Sequence, residues 1–338
     1  PRSAPTAPMP TGRPLEGLRV LEIGSGVASP EAARMLADWG ADAIKIESSL
    51  RPDFQRTVMG GFMNPAFSTV ARGKSSIDVD LTTDDGLALV RDLVVASDVL
   101  VENNAAGVLG RLGLGWDVLH ELNPRLVLVS TQLYGDRGPW ASKKGYGPSA
   151  RAVGGLTWLW AHGPDAPRGV MTIHPDHLAG RLVAIAALSG LAERDRTGVG
   201  RRIDIAQFEA VIALLAEQYV HESLEAGAAV PEGNVDPRHA PWGVYRCADE
   251  DGIESWLALC VRADDEWEQV RALAGDELAH QSWTDEAGRL ADRAVIDDAV
   301  SAWLATERAE VIESTLQACG VPASRVLHPA TIVTHPQG

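Results

Sequence analysis

Short apolar segments alternate with helix-like segments through the first part of this chain, and this alternation most constrains its fold. The apolar segments are rich in Val, Ile and Leu, as in strands that are buried on both faces of a parallel sheet. The pattern predicts strands at 18–23, 42–47, 76–81, 98–102, 126–131 and 202–205, and helices at 30–39, 83–96, 176–194 and 207–224. We therefore expect an α/β fold with a Rossmann-like parallel sheet.

The pattern changes after residue 226. A hairpin is expected with strands at 244–248 and 255–261, followed by helices at 264–274, 284–306 and 307–319 and a last strand at 321–326. Turn residues and helix-period segments support these limits. The sequence predicts four regions, which are a disordered Pro-rich leader at 1–14, a large domain at 15–226, a linker rich in Gly, Pro and Ala at 227–241, and a small acidic α+β domain at 242–338.

The net charge of −16 is unevenly distributed along the chain. Residues 1–220 hold 22 Lys and Arg and 24 Asp and Glu, whereas residues 221–338 hold 8 and 22. Nucleic-acid binding needs a basic stripe, which neither part has, so we expect no nucleic-acid partner. An anionic small ligand has to bind in the first part, where most of the basic residues lie.

Three further expectations concern membranes, redox state and metals. No apolar run reaches the ~18 residues that a membrane span needs, and no signal peptide is recognised, so we expect no membrane association. Cys247, Cys260 and Cys319 are far apart, which favours a reducing, cytoplasmic location without disulfides. His174 and His177 are three residues apart but have no further ligand spaced with them, so we expect no metal.

Asp176 stands at the start of the helix predicted over 176–194. It follows a proline and precedes small residues, so we predict that it is the helix N-cap. The positive end of the helix favours an ionised carboxylate that can face a ligand. Capping alone also explains an aspartate at this position.

Gly24-Ser25-Gly26 follows the first strand, as the phosphate loop of a dinucleotide-binding domain does. Glu47 ends the second strand, where an acid that binds ribose is expected. However, Ser29 and Pro30 stand where the third glycine of that motif is needed. NAD binding is therefore a weak alternative.

Other short motifs allow a functional and a structural interpretation. Arg72-Gly73-Lys74 and Lys143-Lys144 suit phosphate contacts or plain surface charge. Gly154-Gly155 suits a turn, or amide groups that stabilise an oxyanion. The chain has no GxSxG elbow and no P-loop, which argues against a serine hydrolase and a P-loop nucleotidase.

Several longer runs, taken in order, resemble the class III CoA-transferase family, also called the CaiB/BaiF family. They are PLEGLRVLEIGSGVASPEAARMLADWGADAIKIE at 14–47, RGKSSIDVDL at 72–81, SDVLVENNAAGVLGRLGLGWDVLHELNPRLVLVS at 97–130, GDRGPW at 135–140, PDHLAGRLVAIAALSGLAERDRTGVGRRIDIAQFEA at 175–210 and GVPASRV at 320–326. The resemblance covers most of the chain.

The resemblance implies a catalytic nucleophile and a set of coenzyme A contacts. The nucleophilic aspartate of the family falls on Asp176. The CoA contacts fall on Val27, Ala28, Val79, Asp80, Leu81, Thr82, Asn103, Asn104, Ala105, Arg111, Lys144, Gly145 and Tyr146. Arg111 and Lys144 are expected to hold phosphates, and Val79–Thr82 to lie beside the adenosine.

The resemblance also implies the reaction. CoA passes from an acyl-CoA to a small carboxylic acid through an anhydride and then a thioester on the aspartate, without a metal. Methylacyl-CoA racemases of the family carry a His-Asp pair where this chain has Tyr146-Gly147, so racemase-like or lyase chemistry stays an alternative that lacks one base. Asn104-Ala105-Ala106 also departs from the family pattern, which leaves its local CoA contacts open.

The family forms interlocked dimers, so the resemblance implies a homodimer with the interlocked CoA-transferase fold. The chain stops at Gly338, before the segment with which family members return to the large domain. Three arrangements stay open on this basis, which are a truncated chain, one half of a tandem protein whose second half takes the place of the partner, and a half that binds CoA without catalysis.

Overall fold

The structure is a computed structural model that describes residues 12–58, 61, 63–161, 173–250, 252–333 and 335. They form two compact units, one drawn from the described residues within 12–158 and 173–229 and the other from those within 159–161 and 230–335. The predicted linker at 227–241 contains no helix or strand, while the predicted domain limits stay predictions. Most of the predicted leader at 1–14 lies outside the described residues.

The large unit is built on a six-stranded sheet in the order β3-β2-β1-β4-β5-β6, in which every neighbouring pair is parallel. The strands are β1 (Arg19–Ile23), β2 (Asp42–Glu47), β3 (Lys74–Asp78), β4 (Val99–Glu102), β5 (Val127–Gln132) and β6 (Arg202–Ala206). The strand order reverses between β1 and β4, and sheets of this type bind ligands beyond the carboxyl ends of the strands at such a point. The predicted α/β fold with a Rossmann-like parallel sheet is confirmed.

Helices cover both faces of this sheet. They are α1 (Ala28–Asp38), α2 (Gln55–Val58), α3 (Pro65–Ala71), α4 (Asp84–Val95), α5 (Val108–Arg111), α6 (Trp116–Leu122), α7 (Gly147–Val153), α8 (Leu156–Leu159), α9 (His174–Thr197), α10 (Gln207–Leu214) and α11 (Ala216–Leu224). On one face Val101 and Val129 share a core with α1 and α9, and on the other Leu100 and Leu128 share a core with α4 and α6. Alternate strand residues therefore fill two separate apolar layers.

Two elements of the large unit differ from the prediction in a way that affects the site. The third strand ends at Asp78 instead of residue 81, because Val79 and Leu81 pack into the core from the loop after it. The long predicted helix at 207–224 is divided into α10 and α11 at Leu215. Apolar residues at alternating positions beyond Asp78 were the cause of the first error.

The small unit contains an antiparallel sheet of three strands, β7 (Trp242–Glu250), β8 (Ile253–Cys260) and β9 (Ala323–Arg325). Its helices are α12 (Asp264–Ala274), α13 (Glu286–Ala291), α14 (Arg293–Leu304), α15 (Ala309–Ala318) and α16 (Pro329–Ile332), with 3₁₀ turns at Gly275–Leu278 and Gln281–Trp283. Trp267 and Trp303 fill its own apolar core. The predicted hairpin is present, whereas the helix predicted at 284–306 is two helices separated at Asp292.

Among the described residues, no helix is both long enough and apolar enough to cross a bilayer. In the same residues no group of three or more His, Cys, Asp or Glu is arranged to hold a metal ion. The cysteines at 247, 260 and 319 carry free thiols. The cytoplasmic location stays a prediction.

Candidate active site

A cavity of about 500 Å³ lies in the large unit, lined by the loops that follow β1, β4 and β5 and by the start of α9. It therefore lies at the point where the strand order reverses. The cavity brings together eight of the residues predicted for the site, which are Val27, Asn103, Asn104, Ala105, Lys144, Gly145, Tyr146 and Asp176. These residues come from four separate segments of the chain, so their convergence supports the sequence assignment.

Asp176 is the only Asp or Glu among the described residues that line this cavity, and it lies in the first turn of α9. The helix begins at His174, so the predicted N-cap position is wrong and Ile173 is the N-cap. The Asp176 side chain instead accepts a hydrogen bond at Oδ2 from the backbone N–H of Gly147, over 3.0 Å. A Cβ atom on residue 147 would lie 2.0 Å from that oxygen. The carboxylate can occupy this position only because residue 147 is glycine.

Burial changes the expected ionisation of Asp176. Only 9 % of the residue is exposed, and this burial raises the pKa of its carboxyl to about 6. The hydrogen bond from Gly147 and the nearby His177 act in the opposite direction, and the carboxylate of Glu31 adds to the rise. The helix N-terminus was expected to favour the ionised form, but desolvation has the larger effect on this pKa. A carboxyl with a pKa of about 6 is still mostly ionised at pH 7.

Asn103 and Asn104 join the two loops at the strand reversal. The Asn103 side chain accepts from the N–H of Ser25 over 3.0 Å and donates to the carbonyl of Ser25 over 2.8 Å. The Asn104 side chain donates to the carbonyl of Ile23 over 3.0 Å. Both side chains therefore shape the wall of the cavity from within the protein.

Four buried charged side chains form ion pairs next to the loop that follows β1. Lys45 Nζ lies 2.6 Å from Glu22 Oε1 and 3.2 Å from Asp53 Oδ2, and it also donates to the carbonyl of Gly24. Lys74 Nζ lies 2.5 Å from Glu22 Oε2. Asp53 Oδ1 accepts from the N–H of Gly26 over 3.0 Å. We call Glu22, Lys45, Asp53 and Lys74 the buried charge network.

The buried charge network corrects one functional interpretation of the sequence. Lys74 was a candidate for phosphate binding, but it is buried and paired with Glu22. Burial lowers the pKa of Lys74, against the attraction of Glu22. Burial also opposes the charge on Lys45, yet its pKa is raised, because the carboxylates of Glu22 and Asp53 outweigh that effect. Arg72 is exposed and pairs with Asp38, which agrees with the surface interpretation.

The glycines after β1 are explained by packing within the protein. A Cβ atom on Gly24 would lie 1.9 Å from Ser29 Oγ, and one on Gly26 would lie 2.6 Å from the ring of Phe54. The proposed ribose-binding acid, Glu47, is paired with Arg56 over 2.8 Å. The features that favoured NAD binding therefore have structural explanations.

Six predicted CoA contacts lie outside the cavity lining, which are Ala28, Val79, Asp80, Leu81, Thr82 and Arg111. Ala28 and Val79 are buried in the large unit. Asp80 accepts from the N–H and hydroxyl of Thr82, and these hydrogen bonds lower the pKa of its carboxyl. Arg111 is exposed in the single turn of α5. Their role toward CoA stays a prediction.

The predicted oxyanion role of Gly154-Gly155 is wrong. Both residues end α7, and their N–H groups donate to the carbonyls of Ala150 and Ala152. Gly155 also has a φ of 81°, in the left-handed region that glycine adopts at helix ends and that other residues rarely adopt. The amides are used to terminate the helix, so the turn interpretation is correct.

Sequence reasoning missed several polar residues of the cavity. Thr131 and Gln132 end β5, and Gln207 begins α10 directly after β6. All three line the cavity, are buried, and have a side-chain oxygen without a hydrogen-bond partner among the described residues. Polar residues that follow apolar strand positions at the carboxyl edge of a sheet were the available signal.

The comparison with known sequences gives one family for nearly the whole chain. The profile of CoA-transferase family III matches residues 15–338. The probable CoA-transferase Rv1866 of Mycobacterium tuberculosis is 38 % identical over 98 % of this chain, which spans only 43 % of that protein. The succinyl-CoA–D-citramalate CoA-transferase of Chloroflexus aurantiacus is 32 % identical over 96 % of this chain and 81 % of its own length.

Solved structures agree with this assignment. A CaiB/BaiF family protein from Brucella suis superposes with a TM-score of 0.88 at 29 % identity, covering 96 % of this chain and 87 % of its own. The Rv3272 protein of Mycobacterium tuberculosis superposes with a TM-score of 0.82 at 27 % identity, covering 96 % and 86 %. The resemblance seen in the sequence is confirmed, and the chain belongs to CoA-transferase family III.

Proposed function

We propose that this chain transfers CoA from an acyl-CoA to a small carboxylic acid, with Asp176 as the nucleophile. The observation that carries the proposal is the buried Asp176 carboxylate, which lines the cavity and is positioned by the N–H of Gly147. Named CoA-transferases among the relatives support the reaction class. CoA is a substrate in this proposal, and no metal takes part.

The reaction begins when an Asp176 oxygen attacks the thioester carbon of the donor. The C–S bond breaks, and CoA leaves as a thiolate while a mixed anhydride forms. The thiolate then attacks the Asp176 carbonyl carbon, which releases the donor acid as a carboxylate and leaves a thioester between Asp176 and CoA. This is covalent catalysis by a carboxylate.

The second half of the reaction repeats these steps with the acceptor. Its carboxylate attacks the Asp176 thioester, and CoA leaves again as a thiolate. The thiolate attacks the acyl carbon that came from the acceptor, so the new acyl-CoA forms and the Asp176 carboxylate is restored. Because the pKa of Asp176 is about 6, the rate should fall as the pH drops through that value.

A racemase-like or lyase reaction would use Asp176 as a base. A pKa of about 6 suits such a base, but racemisation by two bases needs a second one. Among the described residues that line the cavity there is no histidine and no second carboxylate. We therefore keep this reaction, and CoA binding without catalysis, as the alternatives.

One assay separates these reactions. The purified chain is incubated with a panel of acyl-CoAs, with and without free acids, and the CoA esters and their configuration are measured. CoA exchange that depends on the acid supports the transferase, and loss of configuration without an acid identifies a racemase. Binding of CoA with no change in any ester would leave only the non-catalytic alternative.

We also propose that the chain pairs with a second copy, or with the second half of a tandem protein. Large apolar side chains are exposed on the last helices of the large unit, at Ile185, Leu188, Leu214, Tyr219, Val220 and Leu224. Exposed apolar groups of this kind are typical of interfaces. Light scattering tests the proposal, since a stable and active monomer would contradict it.

A further inference from the structure

Three buried polar side chains, those of Thr131, Gln132 and Gln207, line the same cavity as Asp176 and have an oxygen without a hydrogen-bond partner among the described residues. The amide group of Gln132 donates to Glu102 and Ser130, which holds that side chain in place. Thr131 is 0 % exposed and Gln207 is 6 % exposed, and both line the same cavity as Asp176. Thr131 Oγ1 and Gln207 Oε1 are shielded from solvent and have no hydrogen-bond partner in the described part of the chain. A buried polar atom without a partner is costly, so these two atoms point to a group that the described part of the chain does not supply.

The position of these residues limits what that group can be. Gln132 and Ala206, the last residues of β5 and β6, are paired neighbours. Thr131 precedes Gln132 and Gln207 follows Ala206, so both lie at the carboxyl ends of adjacent strands. Asp176 lies in the first turn of α9, which packs against β5 and α10. A ligand that reaches both polar atoms is thus near the proposed nucleophile, where the acyl group of the substrate lies during the reaction.

The chemistry of the two atoms complements a hydroxyl group. The Thr131 hydroxyl donates or accepts, whereas the free atom of Gln207 is a carbonyl oxygen that accepts. A substrate hydroxyl can donate to Gln207 Oε1 and accept from Thr131 Oγ1, which satisfies both residues. An alkyl group of the same size would leave both atoms unpaired, and sites built to hydrogen-bond a polar group reject the analogue that lacks it.

We propose that Thr131 and Gln207 form an acyl-group subsite that selects short hydroxylated acyl groups over their alkyl counterparts. The inference rests on the proposed function, since it assumes that an acyl-CoA places its acyl group beside Asp176. It adds the substrate class, and it assigns to Thr131 and Gln207 a role in specificity.

Binding of matched acyl-CoA pairs tests the subsite without the need for turnover. Calorimetry is done on the full chain with Asp176→Asn, which prevents covalent reaction. The pairs are lactoyl-CoA with isobutyryl-CoA, and each enantiomer of 3-hydroxybutyryl-CoA with 3-methylbutyryl-CoA, so that the hydroxyl replaces a methyl group. We expect at least one hydroxylated ester to bind roughly tenfold or more tightly than its methyl partner.

Variants assign this preference to the two residues. Thr131→Val and Gln207→Leu should each reduce the ratio within a pair to about threefold or less, whereas Thr131→Ser should keep it. Thr157→Val is the matched control, because Thr157 also has a buried hydroxyl without a partner among the described residues but lies outside the cavity lining. Free CoA should bind all variants equally, which separates loss of the subsite from loss of folding.

Equal binding within every pair would overturn the subsite, and so would a ratio that survives both substitutions. If wild-type chain exchanges CoA while the pairs bind equally, the subsite fails and the proposed function stands. Discrimination within the pairs without any exchange supports the subsite and contradicts the transferase reaction. Failure of every acyl-CoA to bind would contradict both.

Discussion

The large unit buries two sets of polar side chains, and the sets differ in whether their polar atoms have partners within the chain. In the buried charge network every charged group has an ion partner, since Lys45 contacts both Glu22 and Asp53 and Lys74 contacts Glu22. In the cavity, Thr131, Gln132 and Gln207 have side-chain oxygen atoms without hydrogen-bond partners in the described residues. The first set therefore shapes the loop after β1, whereas the second is prepared for a molecule from outside. A polar group that stays unpaired is the better guide to function.

The largest change in stability is expected when a cation of the buried charge network is removed. Lys45→Met should lower the free energy of unfolding by about 3–5 kcal/mol, because it leaves the buried Asp53 carboxylate without its cation and Glu22 with Lys74 alone. Arg19→Met is the matched control on the same two strands, since Arg19 pairs with Asp42 at the surface over 2.8 Å. That change should cost less than about 1 kcal/mol. Urea unfolding measures both, and equal losses would show that the network is not a stabilising element.

Replacement of Asp176, in contrast, is expected to raise the free energy of unfolding. The raised pKa of Asp176 means that the folded protein binds a proton which the unfolded chain releases at the same pH. The resulting stability is present below the ordinary pKa of ~3.9 and is lost as the pH rises through about 6. Asp176→Asn should therefore raise the free energy of unfolding at pH 8 by up to about 3 kcal/mol, and by little at pH 4.

Asp84→Asn is the control for this prediction. Asp84 is also an acid in the first turn of a helix, but it is exposed, so its replacement should change stability by less than about 1 kcal/mol. Unfolding curves at the two pH values compare the variants. An Asp176→Asn protein that is no more stable than wild type at pH 8 would contradict the account of a desolvated carboxylate.

A smaller effect is expected from the exposed cations that are predicted to hold CoA phosphates. Lys144→Ala and Arg111→Ala should each weaken CoA binding about ten- to hundredfold, as expected when a charge-assisted contact is lost. Arg125→Ala should leave the affinity unchanged, because Arg125 precedes β5 at the opposite edge of the sheet. Calorimetry with CoA and dephospho-CoA shows which phosphate each residue contacts. If only Lys144→Ala weakens CoA binding, then CoA contacts are confined to residues that line the cavity, and the assignment of Arg111 is wrong.

Strong local patterns made most of the fold predictable. β2 over Asp42–Glu47 and α12 over Asp264–Ala274 have the predicted limits, because each is an apolar periodic segment between clear boundaries. β3 was misplaced because Val79 and Leu81 continue the alternation of a strand while lying in a loop. Hydrophobic periodicity indicates which residues are buried, and a buried loop can have the same pattern as a strand.

The site was predictable only in part. Asp176 and Lys144 were found through the family resemblance, and both line the cavity. The pKa of Asp176 was not predictable, because it depends on burial produced by distant segments. Thr131 and Gln207 were missed, since their free oxygen atoms become apparent only when every neighbouring donor has been placed. Sequence identifies residue types, whereas unpaired atoms are a property of the folded chain.

The most direct test of the central claim is mass spectrometry of the peptide that contains Asp176. The chain is incubated with an acyl-CoA that it turns over, then treated with hydroxylamine and digested. We predict that the wild-type protein carries the hydroxylamine adduct on Asp176, because hydroxylamine reacts with the anhydride or thioester formed there, and that Asp176→Ala binds CoA but exchanges none. Acid-dependent CoA exchange by the Asp176→Ala protein, or exchange by the wild type without an adduct on Asp176, would contradict the account.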